Sequence, residues 1–140
     1  MVVVIDTNVL VSGLLNAQGS PGRILDMVLI DRLTAAFDDR MLSEYRQVLG
    51  RNKFQPAMPA ALADDVLGFI TRHGLHVTAQ PLDLTIEPFP DPDHLMFMEV
   101  SATAGAAAIV TGNIRHFDFF EKNPYGVRIL TPSQALEMLC

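Results

Sequence analysis

The chain has 140 residues, of which 49% are hydrophobic and 19% are charged, and its formal net charge is −6. This composition is typical of a globular protein with a real core, and it excludes a disordered chain. The negative charge argues against binding nucleic acid through bulk positive potential, but it is compatible with acids that hold divalent cations. The length predicts one domain that spans residues 1–140.

The N-terminus and the cysteine content bear on localisation. The first apolar run stops at Asp6 and follows no basic segment, so we expect no signal peptide. No apolar run approaches the length of a membrane span. The single Cys140 cannot form an internal disulfide, which suits a reducing compartment. Together these features predict a cytoplasmic protein with no membrane partner.

Strand and helix patterns alternate along the first half of the chain. In order, we predict a strand at Val2–Ile5, a helix at 9–16, a helix at Gly22–Asp31 with Ser20 as its N-cap and Pro21 at its first position, a strand at Leu33–Phe37, and a helix at 40–50 capped by Asp38 or Asp39. A break at Gln55–Pro59 closes this half.

The second half continues the alternation and ends in a helix. In order, we predict a helix at 60–73, a short strand at Leu75–Thr78, a loop fixed by prolines at Pro81–Pro92, a helix from about His94 to Ala104, strands at Ala107–Thr111 and Val127–Leu130, and a helix at Pro132–Leu139 opened by Thr131. This alternation predicts an α/β fold with a mainly parallel sheet and helices on both faces.

Polar residues follow the predicted strands at the edge where such sheets carry their sites. Asp6 ends the first strand, and Thr111-Gly112-Asn113 ends a later one. Asp93 lies at the mouth of the helix before that later strand, and Glu44 lies near the start of the third helix. The carboxyl ends of parallel strands share one edge, so these distant positions can converge there.

The chemistry suggested by these side chains is oxygen ligation of a hard divalent cation. Mg²⁺ and Mn²⁺ prefer carboxylates, carbonyls and water to His or Cys ligands. Carboxylates that cluster without a cation repel one another. Two ions about 4 Å apart can activate a water and stabilise the leaving oxygen of a phosphodiester. Mg²⁺ or Mn²⁺ is therefore the expected cofactor.

Four stretches of the chain together resemble a PIN domain. They are VVVIDTNVLVSGLL, EYRQVLGRNKF, DPDHLMFMEVSATAGAAAIVTGNIRHF and ILTPSQAL, in that order. More narrowly, they resemble the toxin components of bacterial toxin–antitoxin pairs. The resemblance implies a three-layer α/β/α sandwich and a Mg²⁺- or Mn²⁺-dependent ribonuclease that cuts single-stranded RNA. It also implies a homodimer and an antitoxin protein that blocks the site.

The acidic positions of the family carry over to this chain in part. The resemblance matches the first acid to Asp6, with Asn8 as its polar neighbour, and the second to Glu44. The third acid aligns with Leu95, directly after His94.

Other side chains could complete such a set of ligands. Asp93, two residues before Leu95, or Glu99, one turn after it, could supply the missing carboxylate. The fourth acid is replaced by Asn113, which still offers a neutral oxygen, and Thr111 and Arg115 are candidates for support and for RNA contact.

Each candidate residue also has a structural interpretation. Asp6 and Asp93 could be helix N-caps, Glu44 an ordinary solvated residue, and Asn113 a turn former. Arg115 could form an ion pair with Asp118 or Glu121 instead of binding phosphate. His94 and His116 are more typical of surface residues than of metal ligands, because no His or Cys partner lies at metal-binding spacing.

Two other functions remain possible from the sequence. Leu95 at an acidic position keeps open a weakened PIN-fold protein that binds RNA or an antitoxin-like partner without efficient cleavage. An aspartate-nucleophile phosphatase is disfavoured, because it would need an acid two residues after Asp6, where this chain has Asn8.

Overall fold

A computed structural model describes residues 1–51, 58, 60–82, 92–120 and 122–140. The helices in these residues are α1 (Thr7–Leu15), α2 (Ser20–Leu29), α3 (Asp39–Leu49), α4 (Ala60–His73), α5 (Pro92–Ala104) and α6 (Pro132–Leu139), with a 3₁₀ helix at Ile114–Phe120. The strands are β1 (Val2–Ile5), β2 (Thr34–Phe37), β3 (Leu75–His76), β4 (Ala108–Val110) and β5 (Arg128–Leu130).

The five strands form one parallel sheet in the order β3-β2-β1-β4-β5. Strand β1 lies in the middle, where Val3 is paired with Ala35 of β2 and with Ala108 of β4. With its helices, this sheet gives the predicted α/β/α architecture. Because all strands run the same way, the residues that follow β1, β2 and β4 emerge at one edge.

The centre of the sheet is buried on both faces. Val3, Val4 and Ile5 of β1 are at most 1% exposed, as are Ala108, Ile109 and Val110 of β4. Continuous apolar runs of this kind are expected where helices cover both faces of a parallel sheet. The edge strand β3 differs, because Leu75 and His76 are both exposed.

Helices α3 and α5 pack beside the edge of the sheet where β1 ends. Helix α5 contacts β1, β2 and β4, and α3 contacts α1, α4 and α5. Helix α2 packs with α1 and α6. Within the described ranges, no helix is long and apolar enough to cross a membrane.

Two of the predicted helix caps are confirmed. Asp38 accepts a hydrogen bond from the Met41 amide at 3.0 Å and so begins α3. Thr131 accepts from the Gln134 amide, and the Gln134 side chain accepts from the Thr131 amide, which forms a capping box at α6.

Two predictions about helices need correction, and one helix was missed. The first helix begins at Thr7 instead of residue 9, because the chain turns directly after Asp6. The N-cap of α2 is Gly19, and Ser20 is already helical. The 3₁₀ helix at Ile114–Phe120 was not predicted, although Ile114, Phe117 and Phe120 recur at its period of three residues. The predicted break at Gln55–Pro59 lies outside the described residues except for Met58, and of the Pro81–Pro92 loop only its first two residues and Pro92 are described.

Candidate active site

A cleft of about 430 Å³ opens at the edge of the sheet where β1 ends. It is lined by Asp6, directly after β1, by Arg51, after α3, and by residues from α1, α3, α5 and the 3₁₀ helix. The three acidic side chains proposed from the sequence as ligands, Asp6, Glu44 and Asp93, all line this cleft. The structure therefore brings together residues that lie 38 and 49 positions apart in the chain.

Asp6 is buried, with 6% of its surface exposed, at the end of β1. It occupies the N-cap position of α1, but its side chain makes no capping hydrogen bond. Its Oδ2 instead accepts a hydrogen bond from Thr111 Oγ1 at 2.8 Å, across the β1–β4 pair. Asp6 is therefore the N-cap residue of α1 by position, but its carboxylate does not cap the helix and lines the cleft.

Burial at the end of β1 disfavours the charged form of the Asp6 carboxylate. Burial raises the pKa of Asp6, and hydrogen bonds from Thr111 and the Thr7 amide, together with the nearby His94 and His116, oppose part of that rise. Neither Asp6 nor Glu44 forms an ion pair with any residue that the structure describes. A cation bound in the cleft would supply the missing positive charge.

Glu44 is held on the opposite wall of the cleft by α3. Its Oε2 accepts a hydrogen bond from the Thr7 hydroxyl, so the residue after Asp6 fixes the second carboxylate. The neighbouring Tyr45 is buried and donates to the carbonyl oxygen of Ile5, the last residue of β1. This contact docks α3 against the strand end that presents Asp6.

The Tyr45 hydroxyl stays protonated in this setting. Burial raises the pKa of Tyr45 well above its ordinary value, and the charges of Asp6, Glu44 and Asp38 raise it further. The hydroxyl can therefore act only as a donor to Ile5 at neutral pH.

Asn8 and the turn after β4 form the floor beside Asp6. The Gly112 amide donates to Asn8 Oδ1 at 3.1 Å, and the Asn113 amide donates to Thr111 Oγ1 at 3.0 Å. A Cβ on Gly112 would lie 3.3 Å from Asn8 Oδ1, so this approach favours glycine. Asn113 therefore contacts Thr111, which in turn contacts Asp6, and neither the Asn113 nor the Thr111 side chain lines the cleft.

Helix α5 presents Asp93, His94 and Phe97 to the cleft. Helix α5 begins at Pro92, so Asp93 lies inside its first turn. Asp93 is therefore not the N-cap residue of α5. Leu95 is half-buried and is not part of the cleft lining. Successive helical residues are rotated by about 100°, so Leu95 points to a different side of the helix from Asp93 and Phe97.

The alignment of Leu95 with the third acid of the family stays a prediction, but the cleft is lined by its neighbours Asp93 and His94. The side chain that faces the cleft directly after Asp93 is His94. Asp93 therefore supplies the third carboxylate of the cleft lining, and the imidazole of His94 lies next to it.

Glu99 is engaged elsewhere and does not line the cleft. Its Oε1 pairs with Arg40 Nη1 at 2.8 Å, and Arg40 Nη2 pairs with Asp38 Oδ2 at 2.7 Å. Burial pulls the pKa of Arg40 down, but its hydrogen bonds to Glu99 and Asp38 and their charges outweigh that effect and leave it above its ordinary value. We call these three residues the Arg40 bridge. It connects the start of α3 to α5, and so connects the two walls of the cleft.

Basic and imidazole side chains also lie at the cleft. Arg51 lines it, whereas Arg115 is exposed, is not among the lining residues and forms no ion pair with Asp118; Glu121 lies outside the described residues. His94 and His116 line the cleft with their rings stacked, 4.3 Å between centroids and 20° between planes. Both histidines reach the surface, as expected, and the structure adds that they pair with each other at the cleft. No local sequence signal pairs them, because they are 22 residues apart.

The capacity of the cleft for a metal rests on oxygen atoms. In the part of the chain that the structure describes, no three His, Cys, Asp or Glu side chains are grouped closely enough to hold a metal ion. The donor types at the cleft, carboxylates with a neighbouring amide and hydroxyls, nevertheless fit Mg²⁺ or Mn²⁺, which complete their coordination with water.

The bond between Thr111 and Asp6 gives a testable prediction about pH. We expect Thr111→Val to lower the free energy of unfolding by about 1–2 kcal/mol at pH 7.5 in EDTA, because the buried carboxylate loses its donor. The cost should shrink at pH 4, since protonation removes the charge that the hydroxyl stabilises. Urea unfolding at both pH values measures this difference. Thr111→Ser is the matched control, and an equal cost at both pH values would contradict the assignment.

The comparison with protein families identifies the class. Residues 2–115 match the PIN domain family, so the chain belongs to that family. PIN domains are in general nucleases that act on RNA and typically use divalent metal ions. The buried Asp6 at the end of β1, facing Glu44, lies within the matched region.

Among curated proteins, an uncharacterized protein of the archaeon Methanocaldococcus jannaschii is similar to this chain. The two are 27% identical over 144 aligned residues, which cover 96% of this chain and 89% of the relative. No solved structure gives a significant match.

Proposed function

We propose that residues 1–140 act as one PIN domain and a metal-dependent endoribonuclease that hydrolyses phosphodiester bonds of single-stranded RNA. The observation that carries the proposal is the buried Asp6 carboxylate. It has no ion pair among the described residues and shares one cleft with Glu44 and Asp93. A cation is the simplest source of compensating charge for such a group.

In this proposal Asp6, Glu44 and Asp93 hold Mg²⁺ or Mn²⁺ together with water, because the three carboxylates line one cleft but are not grouped closely enough to ligate an ion alone. Asn113, predicted from the sequence as a neutral-oxygen ligand, keeps a supporting role in the turn beside Asp6. A metal held by these residues would supply activation of a water and neutralisation of charge on the phosphate. Thr111 holds Asp6 in place, and Thr7 orients Glu44. Asn8 fixes the turn after β4, and Arg51 and Arg115 offer positive charge to the RNA backbone.

The direct test is cleavage of single-stranded RNA by the purified chain with Mn²⁺, Mg²⁺ or EDTA. We expect cleavage with either metal and none with EDTA. Cleavage that persists in EDTA would contradict the metal-dependent mechanism, and an absence of cleavage with all metals would contradict the nuclease.

A second candidate is a PIN-fold protein that binds RNA or an antitoxin-like partner but cleaves weakly. The observation that favours it is the apolar Leu95, which the family resemblance aligns with an acid and which does not line the cleft. Tight RNA binding without Mn²⁺-dependent cleavage would support this alternative.

The biological setting that we propose is a cytoplasmic toxin, held inactive by an antitoxin protein, that works as a homodimer. Its support is the resemblance of the four sequence stretches. A monomer at high micromolar concentration in light scattering would remove the dimer. Failure of the chain to copurify with the product of an adjacent short reading frame would count against the antitoxin.

A further inference from the structure

An aromatic column runs from the hydrophobic core to the mouth of the cleft. Phe97 and Phe117 are buried and contact each other edge to face, with 6.3 Å between ring centroids. The ring centroids of Phe117 and the half-buried His94 lie 5.6 Å apart, and His94 is stacked with His116. The exposed His116 therefore ends a column of rings whose base is fixed in the core.

The outermost ring is held in its orientation from the side as well. Nε2 of His116 lies 2.9 Å from Nδ2 of Asn113, which belongs to the turn after β4. A ring that is fixed by stacking on one face and by a hydrogen bond at its edge loses little conformational entropy when a ligand binds.

The position of the column relates it to Asp6. His94, His116 and Phe97 all line the cleft that contains Asp6 and Glu44. Single-stranded RNA is recognised in large part by stacking of its unpaired bases on aromatic side chains, histidine included. A planar ring beside the proposed position of the scissile phosphate is suited to hold a neighbouring base.

We propose that His116, supported by His94, is a nucleobase-stacking platform that positions a nucleotide next to the phosphate to be cleaved. The inference rests on the proposed ribonuclease function and names the part of the substrate that this wall of the cleft binds. His116 acts through its ring face, so any base can stack there, and a sequence preference would reflect stacking strength.

The test compares binding of short single-stranded oligoribonucleotides to four variants in EDTA, where no metal-dependent cleavage occurs. We expect His116→Ala to weaken binding about 10-fold and His116→Phe to keep most of the affinity, because phenylalanine retains the ring. His116→Gln retains a polar partner for Asn113 but has no ring, so it should behave like the alanine variant. His73→Ala is the matched control, because His73 is also an exposed histidine against an aromatic ring, Phe69, on α4.

A second arm removes the base instead of the ring. Oligonucleotides with one abasic position, scanned along the RNA, should bind the wild type about 10-fold less tightly at one position and bind His116→Ala without that loss. If His116→Gln keeps full affinity and His116→Phe loses it, the residue acts through Asn113 and the platform is wrong. Wild-type protein that binds none of these RNAs also overturns it.

The two proposals can fail separately. Suppose that the chain cleaves RNA with Mn²⁺ and that its KM and RNA affinity are the same with and without a ring at position 116. That result refutes the platform alone. Ring-dependent binding in a chain that never cleaves RNA refutes the nuclease alone.

Discussion

Asp6→Asn should abolish RNA cleavage, with a loss of at least about 100-fold, which corresponds to about 2.7 kcal/mol of transition-state stabilisation. The amide keeps an oxygen that can accept from Thr111, so the fold should survive. It removes the negative charge that we propose binds the metal. Initial rates with Mn²⁺ on single-stranded RNA measure the effect.

The same variant should lose its thermal response to metal. Wild-type protein with Mn²⁺ at 100 times its dissociation constant should gain about 2.7 kcal/mol of stability, and Asp6→Asn should gain none. Asp26→Asn, at an exposed position on α2, is the matched control and should respond like the wild type. An unchanged Mn²⁺ shift in Asp6→Asn would refute Asp6 as a ligand.

In EDTA, where no metal is bound, Asp6→Asn should not lower the free energy of unfolding. Burial raises the pKa of Asp6 in the folded state, so this group favours folding most at low pH, and that contribution is lost as pH rises through the folded pKa. At neutral pH we therefore expect Asp6→Asn to be at least as stable as the wild type. A less stable variant would mean that Asp6 serves the fold instead of a ligand.

Arg40→Met should lower the free energy of unfolding by about 2 kcal/mol at pH 7, because Asp38 and Glu99 lose their shared cation. Their side chains are 8% and 11% exposed. The value is below the usual cost of breaking a buried pair, since the Arg40 side chain is 49% exposed and water can partly replace it. Chemical denaturation measures the loss.

The deficit of Arg40→Met should shrink when one of the two carboxylates is also removed, because less uncompensated charge then remains between α3 and α5. A second substitution, Glu99→Gln, should restore part of the stability at pH 7. Arg46→Met, on the same helix at an exposed position with no ion pair among the described residues, is the control. If both methionine variants lose the same stability, the Arg40 bridge contributes nothing.

The Arg40 bridge also predicts an effect on the cleft. It joins α3, which carries Glu44, to α5, which carries Asp93 and His94. Loss of the bridge should therefore reduce Mn²⁺ affinity as well as stability.

The sequence by itself determined the architecture and the edge where the site lies. Apolar runs too short for helices had to be strands, and alternation with helices required parallel pairing with both faces covered. The topology then places Asp6 and the turn after β4 at one edge, because parallel strands end together. The caps at Asp38 and Thr131 were predictable for a local reason, since a cap depends only on residues within one turn.

Only the tertiary structure decided which side chains meet at that edge. The direction of a helical side chain depends on where the helix begins and how it is rotated on the sheet, so Leu95 could not be separated from His94 in advance. Glu99 pairs with Arg40, 59 residues away, and His94 stacks on His116 from an unpredicted 3₁₀ helix. Such contacts join surfaces that are distant in sequence, and packing of whole elements, not local propensity, sets them.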